Sequence, residues 1–171
     1  LGWQLSLPLI SRRTSKGLPE YRDAIESDVF VLSDTEDLVP VLVQGAGATW
    51  VREIAAPRVV NGVPYQVDRY RPRTENLFSR IERWTRVTAP QDCFWRTISR
   101  ENITSWYGRT ENSRIVDPSD ETRIFSWLIC ERHDDSGNVI SYEYKSEDSV
   151  GVDLAQVHER NRSTATRPAN R

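Results

Sequence analysis

Three adjacent side chains that could do chemistry, His133, Asp134 and Asp135, stand in the stretch ERHDDSGNVISYEYK at residues 131–145. His133 is one of only two histidines in the chain. An imidazole beside carboxylates can bind a metal ion or serve general acid–base catalysis. Aspartates followed by Ser, Gly and Asn also occur at the tips of β-hairpins, where they only turn the chain.

A calcium loop is the metal site to test first, because Asp134, Ser136 and Asn138 fall at alternate positions. Two later positions of that motif do not fit. The sixth position needs glycine for a sharp turn and is Val139, and the twelfth needs a bidentate Glu and is Lys145. The sequence therefore predicts no calcium site here.

A β-hairpin accounts for the same residues. Asp134, Asp135 and Asn138 are types that favour turns, and Gly137 supplies a positive φ. The segment VISYEYK that follows alternates apolar or aromatic residues with polar ones, as a strand does. We predict that these four residues have a structural role in a hairpin.

Other catalytic and metal motifs are missing from the sequence. His133 and His158 are far apart, and neither HExxH nor CxxC occurs. No GxSxG elbow occurs, which leaves only a triad assembled in space. In VLVQGAGATW, Trp50 stands where a dinucleotide loop has its third glycine. We predict no catalytic residue, no cofactor and no metal.

Charge and composition exclude further classes. A formal net charge of -2 argues against a general nucleic-acid binder. No apolar run approaches the ~18 residues that a membrane-spanning helix needs. Cys93 and Cys130 both stand in apolar, strand-like runs, so we expect buried free thiols, although the sequence does not determine their redox state. Nearly all basic residues are Arg, which suits partly buried positions between strands.

Acidic and aromatic residues offer two further sites to weigh. Five carboxylates lie around SDVFVLSDTEDLVPVL, where we expect the solvated rim of a turn between two strands: Glu26, Asp28, Asp34, Glu36 and Asp37. The six Trp residues could form a sugar-binding platform, and this is the generic alternative. Most of them stand inside alternating strands beside Ile, Val or Phe, which favours core packing.

The elements that position these residues follow a period of two. GWQLSLPL places Trp3, Leu5, Leu7 and Leu9 on one face, and Pro8 predicts an edge strand because it cannot donate to a ladder. Short segments rich in aromatic and β-branched residues follow, separated by turn residues: DVFVLS, DLVPVLV, TWVREI, YQVDRYR, RIERWTRV, FWRTISR, NITSWYG and IFSWLICER. The predicted fold is mainly β, with antiparallel sheets of repeated hairpins and little helix.

A weak internal repeat supports the hairpins. WRTISRENITSW at residues 95–106 and WLICERHDDSGNVISY at residues 127–142 share one pattern. Each has Trp, four residues, Arg, a turn, Asn, an aliphatic residue, one further residue, Ser and an aromatic residue. We therefore expect Trp95 and Trp127 to be equivalent core positions, and Arg100 and Arg132 to correspond.

Five separated blocks resemble one known family. They are GWQLSLPLISRRTSKGLPEYRDAIESDVFVLSDTEDLVPVL, YRPRTENLFSRIERW, FWRTISRENITSWYG, SRIVDPSDETRIFSWLICERHDDSGNVISYEYKSED and GVDLAQVHERNR. The hairpin DDSGNVISYEYK within the fourth block also resembles YD and Rhs repeats. In this order the five blocks resemble the SpvB-type domain, found at the amino terminus of the Salmonella virulence plasmid B protein and of insecticidal Tc toxin B components. We expect residues 1–162 to be a segment of this type, cut from a longer chain, and residues 163–171 to be a loop or mobile end.

The resemblance implies a non-catalytic part of a secreted toxin. In Tc toxins the B component and part of the C component build a β-sheet shell that holds a toxic enzyme, and a propeller docks it on the pore-forming A component. The implied partners are therefore the rest of the chain, the C component with its cargo and, indirectly, the A component. The alternative is the delivery domain of an SpvB-type ADP-ribosyltransferase, whose Glu-x-Glu signature is absent from this sequence. Host target and cargo cannot be told from the sequence.

The expected shell also predicts how the isolated chain behaves. Because the sequence starts within a strand-like run and stops before another, we expect at least one sheet edge to be open. An unpaired edge favours association, so the isolated chain is expected to be marginally stable or to aggregate.

Overall fold

The computed structural model describes residues 6–15, 17–33, 36–74, 78–117, 119–145, 151, 153 and 155–157. Trp3, Leu5, Asp34, His158 and the expected mobile end at residues 163–171 lie outside these residues.

Short antiparallel strands dominate the described residues, and helix is limited to single 3₁₀ turns. The strands are β1 Leu9–Arg12, β2 Phe30–Leu32, β3 Glu36–Pro40, β4 Leu42–Gln44, β5 Trp50–Arg52, β6 Arg58–Val60, β7 Val63–Pro72, β8 Arg80–Arg86, β9 Ala89–Ile98, β10 Thr104–Tyr107, β11 Arg114–Asp117, β12 Asp120–His133 and β13 Val139–Ser141. The 3₁₀ turns are Asp23–Ile25, Ala46–Ala48 and Glu111–Ser113. The prediction of a mainly β, antiparallel fold with little helix is confirmed. Among the described residues, we find no helix with the length and apolar character that crossing a bilayer requires.

The main sheet closes on itself. Its order is β1-β2-β3-β7-β8-β9-β10-β12, and β12 pairs back with β1, which gives a closed ring of eight strands. Strands β11 and β13 each pair with part of β12, and β6 pairs with one end of β7. Strands β4 and β5 form a separate two-stranded sheet, which we call the β4–β5 arm (residues 41–53).

Strand β1 differs from its prediction in two respects. It is paired on both sides, through Ile10 with Leu32 of β2 and Trp127 of β12, so the edge position is wrong. Pro8 precedes the strand and therefore occupies no ladder position. Within β1, Ile10 and not Leu9 is the fully buried apolar residue, whereas Leu7 of the predicted face packs against the core before the strand begins. The expected open edge is therefore not at β1, whereas β6, β11 and β13 each pair with a single strand among the described residues.

Aromatic rings fill the interior of the closed sheet. Trp95 and Trp127 have no exposed surface, and their ring centroids lie 5.9 Å apart in an edge-to-face arrangement. Phe30 packs edge-on against both rings, at 5.0 Å and 5.7 Å. Cys93 and Cys130 are buried free thiols, as expected. Gly108 has φ of 70°, and a Cβ there would overlap the Trp127 ring, so this turn requires glycine.

The internal repeat has two hairpins with different registers. In β9–β10, Ser105 pairs with Thr97, two residues after the first Trp. In β12–β13, Ser141 pairs with Glu131, four residues after its Trp. Strand β12 therefore continues further before it turns.

This difference in register separates the two repeat arginines. Arg100 lies in the β9–β10 turn, whereas Arg132 lies within β12. The expected correspondence of the two arginines is wrong. The burial of Trp95 and Trp127 is nevertheless shared.

Truncating either buried indole tests this core. Trp95→Ala and Trp127→Ala are each expected to lower the free energy of unfolding by ~3–5 kcal/mol, because each leaves a cavity in a packed interior. Urea unfolding monitored by circular dichroism measures the change. Trp50→Ala, at an exposed position, is the control and should cost less than ~1 kcal/mol. Losses that small at both core positions would contradict the packing described.

Candidate functional site

The predicted turn at residues 133–138 is a hairpin tip that uses its own carboxylate. Asp134 accepts hydrogen bonds from the backbone N–H of Ser136 at 3.0 Å and of Asn138 at 2.9 Å, and from Asn138 Nδ2 at 2.8 Å. These bonds, the one from the Asn138 side chain above all, hold the pKa of Asp134 below its usual range. Gly137 has φ of 85°. The geometry therefore fits the structural role assigned to Asp134, Asp135, Gly137 and Asn138.

His133 begins this turn but does not meet the other residues that could bind metal. Its Nε2 is buried without a hydrogen-bond partner. Within the part of the chain that the structure describes, no three His, Cys, Asp or Glu side chains form a group able to hold a metal ion. The absence of metal, cofactor and catalytic roles stays a prediction.

A buried arginine organises one end of the closed sheet. Arg12 of β1 donates through Nε to the Ile124 carbonyl of β12 at 2.7 Å. Its two terminal nitrogens reach Asp23 at 2.6 Å and 2.9 Å, and one of them reaches Asp28 at 2.8 Å. The guanidinium also lies over the Phe30 ring, 5.1 Å from the centroid. All of these contacts compensate for burying a charge.

Asp23 connects this network to the opposite side of the sheet. It lies on the 3₁₀ turn of the loop between β1 and β2, and it also accepts a hydrogen bond from Arg83 of β8. Arg83 Nε donates to Cys93 Sγ at 3.2 Å. Burial raises the pKa of Asp23, but the two guanidiniums outweigh it and bring the pKa down to about 2. The loop is thereby fixed across the end of the sheet.

The sequence did not reveal this ion-pair network. Asp28 was expected on a solvated rim, but its side chain is buried and accepts from Arg12 and from the backbone N–H of Glu20 and Tyr21. The rim prediction is wrong for Asp28 because the loop folds its carboxylates inward. A period of two places Arg12 on the same face as Ile10, and this was the one local sign in the sequence of the buried ion-pair network.

The β4–β5 arm carries the most prominent apolar surface outside the core. Trp50 is 68% exposed, and Ile54, directly after the arm, is 83% exposed. Leu42, Val43 and Val51 of the same arm are exposed as well. Of the described Trp residues, Trp50 is therefore the exception to the prediction of core packing. Val43 and Val51 lie on one face of this hairpin and Leu42 and Trp50 on the other, so both faces expose apolar residues. Exposed apolar surface of this kind is typical of an interaction site.

The arm is attached to the closed sheet by one polar contact cluster. Arg52 of β5 lies over the Tyr70 ring, 5.3 Å from its centroid, and forms an ion pair with Glu26 at 2.9 Å. The backbone N–H of Val41 donates to the Arg69 carbonyl at 2.9 Å. These contacts hold the base of the arm, so its apolar residues project at a defined position.

The Asp23 network predicts a specific acid response. The pKa of Asp23 is depressed from 3.8 to about 2, so its ion pairs stabilise the fold fully above the unfolded value and lose their effect as the pH falls through the folded value. Asp23→Asn should lower the free energy of unfolding at pH ~7 by at least ~2 kcal/mol. Urea unfolding at several pH values should show this difference shrinking as the pH falls from ~4 toward ~2.

Asp135→Asn, in the exposed turn, is the matched control and should change the free energy of unfolding little at pH ~7 and at pH ~2. A destabilisation by Asp23→Asn that is equal at both pH values would contradict the ion-pair account.

The sequence of this chain is similar to those of known proteins. Over residues 1–171 the chain matches the family described as Salmonella virulence plasmid 65kDa B protein. It is 36% identical over 154 residues to the mono(ADP-ribosyl)transferase SpvB of Salmonella typhimurium, which covers 90% of this chain and 25% of the relative. The SpvB transferase of Salmonella choleraesuis is 35% identical over the same length. The chain thus spans about a quarter of the length of these curated relatives.

Solved structures share the fold. The N-terminal domain of the effector protein SpvB from Salmonella typhimurium strain LT2 has a TM-score of 0.79 and 35% identity, covering 99% of this chain and 52% of that one. The TcdB2–TccC3 structure gives 0.73 and 28% identity, covering 99% and 8%. The Photorhabdus luminescens Tc holotoxin pore gives 0.76 and 29% identity, covering 99% and 7%.

Proposed function

This chain belongs to the SpvB family, and from that membership we propose that it is a non-catalytic structural segment of a secreted bacterial toxin or virulence protein. The homology supports a toxin-associated structural segment as the general role. More specifically, we propose that the segment forms part of the β-sheet shell that encloses and delivers a toxic enzyme.

Aromatic packing in the interior supports a structural role. Aromatic rings occupy the middle of the closed sheet, and the charged groups at one end are engaged in the Arg12, Asp23 and Arg83 network. The match to a solved N-terminal domain of SpvB is consistent with a region separate from a transferase. The sequence also lacks Glu-x-Glu, so we place any transferase activity of the parent protein outside this chain.

The exposed β4–β5 arm is the observation that carries the proposal. Apolar residues exposed on a hairpin are stabilised when a partner covers them. We propose that the partner is the rest of the same polypeptide, and that a C component with its cargo and a pore-forming A component complete the assembly. The solved relatives named TcdB2–TccC3 support a partner of the C type.

Two alternatives remain as proposals. The first is the amino-terminal delivery domain of an SpvB-type effector, which the identity of 36% to SpvB transferases favours. For a shell segment and for a delivery domain alike, we propose secretion from the bacterium.

The second alternative is a carbohydrate-binding module. Of the other Trp residues that the structure describes, Trp84, Trp95 and Trp127 are buried and Trp106 is partly buried, which argues against a platform of several exposed indoles.

Charged substitutions on the arm test the proposed assembly. Trp50→Asp with Val51→Asp, introduced into the full-length parent protein, should lower its melting temperature and thereby reduce recovery of its complex with a C component in size-exclusion chromatography with light scattering. The reason is that two charges would have to be desolvated in the interface. In the 171-residue chain, the same pair should leave the melting temperature nearly unchanged.

Leu18→Asp is the matched control, since Leu18 is a highly exposed apolar residue outside the arm. It should leave assembly intact. Wild-type assembly of the arm variant would contradict an interface at the arm.

A further inference from the structure

An aromatic row crosses the outer face of the closed sheet. Tyr65, Trp84, Phe94 and Trp106 come from the four neighbouring strands β7, β8, β9 and β10. Trp84 and Phe94 stack at 6.0 Å, and Phe94 lies 5.7 Å from Trp106. This row lies on the side opposite the interior core.

Guanidinium groups interleave with the indoles of this row. Arg96 lies over Trp84 at 5.0 Å and over Trp106 at 5.4 Å. Arg58 also lies over the Trp84 ring, 5.7 Å from its centroid, and Arg109 lies over the Trp106 ring at 4.8 Å. We call these three arginines and two indoles the Arg–Trp stack. Such cation–π contacts fix the planes of the guanidiniums.

One buried carboxylate lies beneath the stack and attracts three arginines. Glu82, whose side chain has no exposed surface, accepts from Arg96 through two nitrogens and forms ion pairs with Arg80 and, at 3.7 Å, with Arg58. Trp84 Nε1 also donates to it at 3.0 Å. Burial raises the pKa of Glu82, but the bonds from Arg96 outweigh it and lower the pKa, so the carboxylate is charged.

The arginines at Glu82 exceed what this carboxylate needs. Three guanidiniums against one carboxylate leave an excess of two positive charges. Among the described residues, Asp23, Asp37 and Asp92 each pair with two arginines, whereas Glu82 pairs with three. The side chains of Arg58 and Arg80 are 44% and 46% exposed, so part of each fork faces solvent. Oriented, under-neutralised guanidiniums recognise carboxylates or phosphates.

We propose that this outer face is a docking site for an acidic polypeptide segment, whose carboxylates bind the solvent-facing forks of Arg58 and Arg80. Charge complementarity selects an anionic partner. Single-stranded nucleic acid is disfavoured because its bases need exposed rings, and Trp84 and Phe94 are only 5% and 8% exposed beneath the arginines. Carboxylates need only the guanidinium edges. This site is separate from the β4–β5 arm and does not depend on the proposed shell.

Binding of defined probes to the 171-residue chain tests the proposal. The probes are fluorescein-labelled octapeptides of alternating Glu and Ser or of alternating Lys and Ser, and an oligothymidylate of equal length. Fluorescence anisotropy is measured at about 50 mM and about 300 mM sodium chloride. We expect saturable binding of the Glu peptide alone, weaker at the higher salt concentration because exposed charges are screened.

Variants locate the binding. Arg58→Gln and Arg80→Gln should each raise Kd for the Glu peptide about threefold, and about tenfold together, since each removes one exposed charge pair. Arg96 is kept, so Glu82 retains its main partner. Arg123→Gln is the control, because Arg123 is 53% exposed and forms ion pairs with other carboxylates. It should leave Kd unchanged.

Each remaining outcome would overturn the proposal. No saturable binding of the Glu peptide at low salt, or binding that the double variant does not weaken, would exclude the site. Preferential binding of the oligothymidylate would show that the face recognises phosphates on nucleic acid instead.

Discussion

The pairing of β1 with β12 is the constraint on which the rest of this structure depends. It converts a row of antiparallel strands into a closed sheet with an inside and an outside. Closure places Arg12 within the interior, where a charge is stable only with partners. The loop after β1 supplies them through Asp23 and Asp28. One seam thus determines the core, the buried charges and the path of a long loop.

The closed sheet separates two kinds of aromatic packing. Inside, Trp95 and Trp127 contact each other and Phe30, with no exposed surface. Outside, Trp84 and Trp106 alternate with arginines. Aromatic rings pack in the interior and the Arg12, Asp23 and Arg83 charges are paired, whereas the exposed residues of the arm and the outer Arg–Trp stack are two surfaces open to recognition. This division agrees with a segment that works by contact with other parts of a toxin.

Local sequence patterns predict part of this arrangement. A period of two and the turn residues were sufficient for a mainly β fold, and the repeat identified Trp95 and Trp127 as core residues. The patterns failed where distant segments decide the outcome. Asp23 binds Arg83, 60 residues away in sequence, and β1 meets β12 across more than 110 residues. No local period encodes such pairings, so the buried role of Asp28 and the inward face of β1 were missed.

Amide hydrogen exchange measured by mass spectrometry tests the closure most directly. If β1 and β12 form the seam, peptides covering Leu9–Arg12 and residues 124–130 should be protected as strongly as the β8–β9 pair, because amides in a continuous ladder exchange only through large-scale opening. Rapid exchange throughout β1, with β8–β9 still protected, would show that the sheet is open and would contradict the account.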